Sequence, residues 1–328
     1  MSFSRAFRVR SIVLTLALVV SAGVIPSAVA QQQTSSARRA APGVQVSQQS
    51  QVSIRGDFQL GPTRIQETMA PGDEKTVQLE LTNREGKLAT YQLSTEDFSS
   101  GLHEGEVTHL YGEEDGPYPA RRWLTPTVSE LSINHADRAF IPVKIKVPLD
   151  AEPGDHYAAV MVQRRTETSG PGISVISRVG SLFIVTVSGE IVREGDLLSL
   201  SSVKKLFWDY PARLRLAADN KGTMHMAPYG SIKIRNILGL TVDEIPVKDF
   251  IVLRGSQRTV ELTWEPRFAL GRYTAETNLT VFDGQPTKTL VTSFWVIPLL
   301  PVLIALLAIF LVSFIVQYFF SRFEIKRK

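Results

Sequence analysis

The stretch FIPVKIKVPLDAEPGDHYAAVMVQ, residues 140–163, decides the fold class of this chain of 328 residues. Its first half has the two-residue period of a half-buried β-strand, because apolar side chains recur at every second position: Ile141, Val143, Ile145 and Val147. Pro148 has no N–H to donate and ends the strand, and Pro153 with Gly154 turns the chain. A second apolar run over residues 156–163 then predicts a returning strand.

The same pattern recurs on both sides of this stretch. KTVQLELTN, residues 75–83, alternates after a Pro-Gly turn at 71–72, and residues 88–95 alternate again. Further along, residues 181–191 form an apolar run, and residues 259–264 and 273–281 alternate. Residues 213–217 and 231–235 suggest a strand pair around the connection between them. This pattern predicts an all-β protein.

One turn is repeated in the two halves of the chain. Pro148 is followed by four residues and Pro-Gly before a strand that carries Tyr157, and Pro266 is followed by four residues and Gly271 before a strand that carries Tyr273. A repeated turn between strands indicates one design used twice. We therefore predict two tandem immunoglobulin-like β-sandwiches, over residues 52–191 and 192–293.

The ends of the chain have export and membrane signals. Three arginines, an apolar run and Ala-Val-Ala predict a signal peptide over residues 1–30, and the polar residues 31–51 predict a disordered leader. Residues 294–320 carry no charge and are long enough for a transmembrane helix. The basic tail, residues 321–328, predicts a single-pass protein of the cell membrane with its N-terminus outside and its C-terminus in the cytoplasm.

The charge and the cysteine count exclude several classes of function. Of the 36 Lys and Arg residues, 29 remain without the signal peptide and the tail, against 31 of the 32 acidic residues, so the exported part is slightly acidic. Such a balance does not favour nucleic-acid binding. The chain has no cysteine, which excludes Cys nucleophiles, Cys zinc sites and disulfides.

With these stretches in view, the chain resembles the WxL-interacting protein family of bacterial surface proteins. The resemblance rests on APGDEKTVQLELTN, VPLDAEPGDHY, NKGTMHMAPYGSIKIRN, LRGSQRTVELTW and GRYTA, followed by the apolar helix and the basic tail, and it covers residues 58–328. It implies a membrane-distal sandwich that binds peptidoglycan and a membrane-proximal sandwich that binds host or partner proteins.

Two groups of residues are candidates for binding. Lys204, Lys205, Phe207, Trp208 and Tyr210 form either an exposed recognition patch or a cover for the seam between the two sandwiches. His103, His109, Glu113 and Glu114 lie in a long acidic loop, which either holds a divalent cation or a sugar or is simply a solvated connection.

Met224-His225-Met226 suggests soft metal ligands, but on a strand the two methionines share one face and the histidine takes the other. We therefore predict core-facing methionines and an outward histidine, with no metal and no cofactor. No sequence motif of catalysis is present, so the chain is predicted not to be an enzyme.

Two functions remain. The first is a membrane-anchored scaffold that holds peptidoglycan, another cell-wall glycan or a secreted surface protein through sheet edges and loops. The alternative is an accessory or chaperone-like subunit of a membrane-bound secretion or surface-assembly complex.

Overall fold

The computed structural model describes residues 38–101, 108–165, 177–248 and 250–322. These residues form mostly β-structure with one C-terminal apolar helix, as predicted. The predicted signal peptide, His103 and residues 323–328 of the tail lie outside the described residues.

Twelve strands and one 3-10 turn make up the first sandwich. They are β1 (Arg38–Ala41), β2 (Val44–Gln48), β3 (Phe58–Gly61), β4 (Arg64–Met69), β5 (Glu74–Asn83), β6 (Ala89–Ser100), β7 (Thr108–Leu110), the turn Arg121–Trp123, β8 (Leu124–Pro126), β9 (Glu130–Ile133), β10 (Asp137–Lys146), β11 (Gly154–Arg164) and β12 (Arg178–Val187). One sheet has the order β1-β2-β10-β5-β3, with β8 also on β10. The other has the order β4-β12-β11-β6-β7, with β9 also on β6.

The alternating residues predicted from the sequence build the first core. Ile141, Val143 and Ile145 of β10 are fully buried, as are Leu79 and Leu81 of β5, which pairs with it. Across the core, the inward side chains of β11 and β12 meet them. Burial of these apolar faces, at about 25 cal/mol per Å², is the main stabilising term for the sandwich.

The prediction of a disordered leader is wrong for the hairpin of β1 and β2. β2 pairs with β10, and Val44 and Val46 are buried in the first core. The alternation in VQV, residues 44–46, is too short to be recognised as a strand. The segment becomes a strand because it pairs with the side of β10 that β5 leaves open.

Eight strands make up the second sandwich: β13 (Gly195–Ser202), β14 (Leu206–Phe207), β15 (Ala212–Asn220), β16 (Tyr229–Arg235), β17 (Thr241–Val247), β18 (Ser256–Trp264), β19 (Gly271–Thr280) and β20 (Val291–Val296). A three-stranded sheet, β13-β15-β18, packs on a five-stranded sheet, β14-β20-β19-β16-β17. Between the two sheets, the Trp264 ring packs edge to face on Tyr273 and Phe294, and the rings of Tyr273 and Phe294 are stacked.

The predicted strand pair at residues 213–217 and 231–235 is wrong. β15 lies in the three-stranded sheet and β16 in the five-stranded sheet, so the connection between them crosses from one layer to the other. A crossing connection and a tight hairpin look alike when both flanking strands alternate.

The helix α1 (Leu299–Arg322) has 24 residues and is long and apolar enough to cross a membrane. All its described side chains except Val302 are exposed. It begins five residues later than predicted, because Trp295 and Val296 complete β20 in the five-stranded sheet.

The second sandwich has two distinct ends. One end meets the first sandwich and contains Asn220, Ser256 and Thr280; we call it the seam end. Gly271 pairs with Val296 at the opposite end, where α1 begins, and we call this the helix end.

Candidate functional site: the cleft between the two sandwiches

The two sandwiches meet at the turn that precedes β11. The Asp155 N–H donates to the Thr223 carbonyl at 2.8 Å, and the backbone of Gly154 has φ 114°. A Cβ on Gly154 would lie 2.3 Å from that carbonyl oxygen. Only glycine therefore allows this approach of the two chains.

Asp155 is the centre of the seam and has no solvent exposure. Its Oδ2 accepts from the backbone N–H and the Nδ1 of His225, both at 2.6 Å, and its Oδ1 accepts from Thr186 Oγ1 at 2.6 Å. The His225 Nε2 lies 3.2 Å from Gln66 Nε2 and accepts a hydrogen bond from it when the ring is neutral. Asp155 on β11 and its partner His225 thus join β12 and β4 of the first sandwich to the 221–228 connection of the second.

Burial of Asp155 acts to raise the pKa of its carboxyl group, but the His225 hydrogen bonds and charge and the Thr186 hydroxyl outweigh it, so the pKa lies below its ordinary value. Burial, with the nearby Asp155 carboxylate, raises the pKa of the Tyr157 phenol. At neutral pH the seam therefore contains an ionised carboxylate surrounded by donors.

A second contact lies beside the first. The Tyr157 hydroxyl donates to Asp155 at 3.3 Å and accepts from the Arg254 N–H at 2.8 Å. The Arg254 guanidinium lies 4.2 Å from the centre of the Tyr118 ring and donates to Glu152 Oε1 at 2.7 Å. Glu152 is 65% exposed and Arg254 Nη1 has no hydrogen-bond partner among the described residues, so the buried bonds of Asp155 and Tyr157 form the joint between the two sandwiches.

An open cleft of about 430 Å³ lies next to this joint. Arg64 and Gln66 of β4 line one side, and Tyr229 and Lys248 line the other. Within the described part of the chain, neither Arg64 nor Lys248 forms an ion pair. The cleft is therefore basic, with one aromatic ring exposed in it.

The cleft is bounded by two sheet edges. β4 is the last strand of its sheet and pairs, among the described residues, only with β12, while Arg64, Gln66 and Thr68 are exposed. β17 is the last strand of the five-stranded sheet, but it carries Asp243, Glu244 and Pro246, which discourage strand addition. Of these two edges, β4 is the one that offers free backbone groups.

The predicted patch over residues 204–210 lies at the helix end, so its interpretation as a cover for the seam is wrong. Phe207 is buried against Phe294, and the Tyr210 hydroxyl is bonded to Ala269 on both sides, as acceptor and donor. Phe207 therefore offers no surface to a partner. Lys204, Lys205 and Trp208 are exposed.

The acidic loop is held by its own contacts. Buried Asp97 accepts from the N–H groups of Gly116, Ala120 and Arg121, and the Arg121 and Arg122 guanidinium groups hold the pKa of Asp115 below its usual value. The candidate residues Glu113 and Glu114 are exposed, and the His109 ring packs edge to face on Tyr111. No group of three His, Cys, Asp or Glu among the described residues is arranged to hold a metal ion.

The prediction for Met224-His225-Met226 is wrong in its geometry. Only Met226 is buried in the core, through an isolated bridge to Val252, and His225 points into the seam. Sequence reasoning missed His225 and Asp155 because they are separated by 70 positions, and no local pattern joins them.

No protein-family model and no curated protein matches the sequence. Among solved structures, the class 5 fimbriae chaperone CfaA is similar over 73% of this chain and 99% of its own, with 10% identity and a TM-score of 0.37. The Escherichia coli chaperone DraB is similar over 73% and 96%, with 10% identity and a TM-score of 0.36. A PapD-like domain of human CEP192 is similar over 40% and 86%, with 13% identity and a TM-score of 0.29. At these identities and scores the likeness does not identify a ligand.

Proposed function

We propose that this chain is a non-enzymatic, membrane-anchored protein that holds a segment of another exported protein, as an accessory or chaperone-like subunit would. In this proposal the two units are tandem immunoglobulin-like sandwiches, α1 crosses the cell membrane, and the sandwiches lie outside. The observation that carries it is the open edge of β4 beside a basic cleft.

The geometry suits an extended polypeptide. A free strand edge supplies backbone donors and acceptors in register, and alternate side chains of the added strand reach the cleft. Arg64 and Lys248 attract carboxylates of such a segment, and the Tyr229 ring offers an apolar contact. The Asp155–His225 joint keeps the two walls of the cleft at a fixed distance, which reduces the entropy lost on binding.

Crosslinking tests this proposal directly. A photo-reactive side chain at Gln66, in the full-length chain in its own membrane, is expected to crosslink to an exported protein. The same group at Leu149, which is 85% exposed on the first sandwich, serves as the control. Combining the Gln66 label with Arg64→Ala and Lys248→Ala is expected to reduce the crosslink several-fold.

Two outcomes oppose the proposal. Equal crosslinking from the two positions would show that the cleft is not the binding surface. Binding of the full-length protein to isolated peptidoglycan, lost in the Arg64→Ala and Lys248→Ala variant, would assign the cleft to a cell-wall glycan instead, as the resemblance to WxL-interacting proteins implies.

A further inference from the structure

The helix end of the second sandwich exposes a group of large apolar side chains. They come from three separate connections, at residues 203–211, 236–240 and 265–270, and they include Trp208, Ile237, Leu238, Leu240, Phe268 and Leu270. Leu238 is 78% exposed and Phe268 is 64% exposed. By contrast, the described residues of the first sandwich expose only four large apolar side chains: Ile54, Leu88, Leu110 and Leu149. Large exposed apolar side chains gathered at one end of a protein are typical of a contact with a partner or a membrane.

These three connections lie at the level where α1 begins. Arg235 pairs with Thr274 and Gly271 pairs with Val296, so the hairpin of residues 236–240 extends to the end of β20. On the other side of β20, the Leu299 N–H at the start of α1 donates to the Trp208 carbonyl at 3.0 Å. The apolar side chains therefore surround the point where the helix leaves the sandwich.

No flexible linker separates the sandwich from the helix. Only Ile297 and Pro298 lie between β20 and α1, and the Ile297 N–H donates to the Phe207 carbonyl at 2.8 Å, while Pro298 is buried. At most ~7 Å can be spanned by two residues. The position of the helix in a membrane therefore fixes the height of this end of the sandwich above it.

The length of α1 sets that height. A helix of 24 residues is about 36 Å long, and the hydrocarbon core of a bilayer is about 30 Å thick. The headgroup region adds about 5–8 Å on each side. Leu299 then lies within the headgroup region, and the three connections lie beside it.

The charges at this end suit a lipid surface. Four basic side chains are exposed there, against the three acidic residues Asp209, Asp243 and Glu265: Lys204, Lys205, Arg267 and Arg272. Trp208 and Trp295 are each about half exposed, and tryptophan is enriched where a membrane meets water. Basic residues near anionic headgroups add to the attraction.

We propose that the helix end of the second sandwich rests in the headgroup region of the membrane, with the tips of residues 236–240 and 265–270 at the boundary with the acyl chains. This inference rests on the membrane anchor of the proposed function. The contact holds the second sandwich against the bilayer and directs the seam end, with its cleft, away from it.

Spin labelling of the full-length chain tests this contact, because the sequence has no cysteine and accepts single labels cleanly. Nitroxides are placed by Leu238→Cys and Phe268→Cys, with Leu149→Cys as the aqueous control and Phe310→Cys as the reporter of helix insertion. The protein is reconstituted in vesicles of equal parts phosphatidylcholine and phosphatidylglycerol. Collisions with a water-soluble nickel chelate are expected to be several-fold fewer at 238 and 268 than at 149, and collisions with oxygen more frequent.

Three results would overturn the inference, and they are distinguishable. In the first, the label at 310 lies in lipid but the labels at 238 and 268 are as accessible to nickel as the label at 149. This result would leave the anchor intact and refute the surface contact. Labels at 238 and 268 that are protected in native membranes but not in these vesicles would assign the apolar group to a protein partner. A label at 310 that is accessible to nickel would refute the anchor itself, and the contact with it.

Discussion

The turn at Gly154 and the turn at Gly271 share a sequence pattern and a backbone shape but differ in what they contact. Their φ angles are 114° and 113°, and each begins a long strand, β11 or β19. A Cβ on Gly154 would meet the Thr223 carbonyl at 2.3 Å, whereas a Cβ on Gly271 would meet nothing within 4 Å. The turn at Gly154 therefore packs against the second sandwich, whereas the turn at Gly271 packs against nothing and lies at the end where α1 begins.

The strands after the two turns also differ. Tyr157 lies three residues after Gly154 and points out of the core to the seam, while Tyr273 lies two residues after Gly271 and points into the second core. Because side chains alternate along a strand, one extra residue reverses the face. The first residue after each glycine points out of the core in both sandwiches, but Asp155 is covered by the other sandwich and Arg272 is exposed. One repeated turn thus serves a polar joint in one sandwich and a free end in the other.

Substituting the two glycines by alanine is expected to give the largest difference. Gly154→Ala should lower the free energy of unfolding by about 4–5 kcal/mol, because strain at positive φ is joined by a clash with a backbone atom. Gly271→Ala should lower it by about 1–3 kcal/mol, through strain alone. Urea unfolding of the full-length chain in detergent, followed by circular dichroism, measures both. Equal losses would mean that the sandwiches do not meet at Thr223.

Substituting the residue that follows each glycine should give almost as large a difference in the free energy of unfolding. Asp155→Ala removes the acceptor of the His225 and Thr186 donors and is expected to lower the free energy of unfolding by about 3 kcal/mol. Arg272→Ala, at the matched position, should change it by less than about 0.5 kcal/mol. The same urea titration tests this pair, and a small loss for Asp155→Ala would contradict the buried network.

Acid should weaken the seam selectively. The pKa of Asp155 is lowered in the folded chain, so the unfolded chain binds more protons in acid and stability falls as the pH drops below the ordinary aspartate value of about 4. Asp155→Asn should make this loss with falling pH shallower, whereas Asp150→Asn, at an exposed site, should leave it unchanged. Urea midpoints across the acid range measure the slopes. An Asp155→Asn slope as steep as that of the parent chain would exclude this carboxylate as the cause.

The smallest effect on stability is expected at the helix end. Leu238→Ser replaces a side chain that is 78% exposed, so the free energy of unfolding in detergent should change by less than about 0.5 kcal/mol. Leu216→Ser, a buried position of β15 in the second core, is the contrasting control and should cost more than about 2 kcal/mol. A large loss for Leu238→Ser would show that residues 236–240 pack on the protein rather than on its surroundings.

The sequence predicted those parts of the fold that depend on local period. The alternation of β5 and β10 identifies buried side chains correctly, and Trp264, at the end of the alternating run over residues 259–264, is buried as well. The hairpin of β1 and β2 was not predictable, because its burial depends on the open side of β10, about 90 positions away. The same reason explains the mistaken strand pair around residues 221–228, since alternation gives the face of a strand but not its partner.

The candidate site was less accessible to sequence reasoning. The cleft and its joint combine Arg64, Asp155, His225 and Lys248, which come from both sandwiches and belong to no motif. The sequence identified Trp208, Lys204 and Lys205 as part of a candidate patch, but their position at the helix end follows only from the pairing of β14 with β20. A long-range contact between polar residues leaves no periodic trace in a single sequence.

The two-residue connection between β20 and α1 has a mechanical consequence. β20 lies between β14 and β19, hydrogen-bonded to both, and continues into the helix. A pull on α1 along the strand therefore loads two rows of hydrogen bonds together, in shear, instead of peeling one strand from an edge. In the proposed function, tension on α1 would pass into the interior of a sheet instead of its edge.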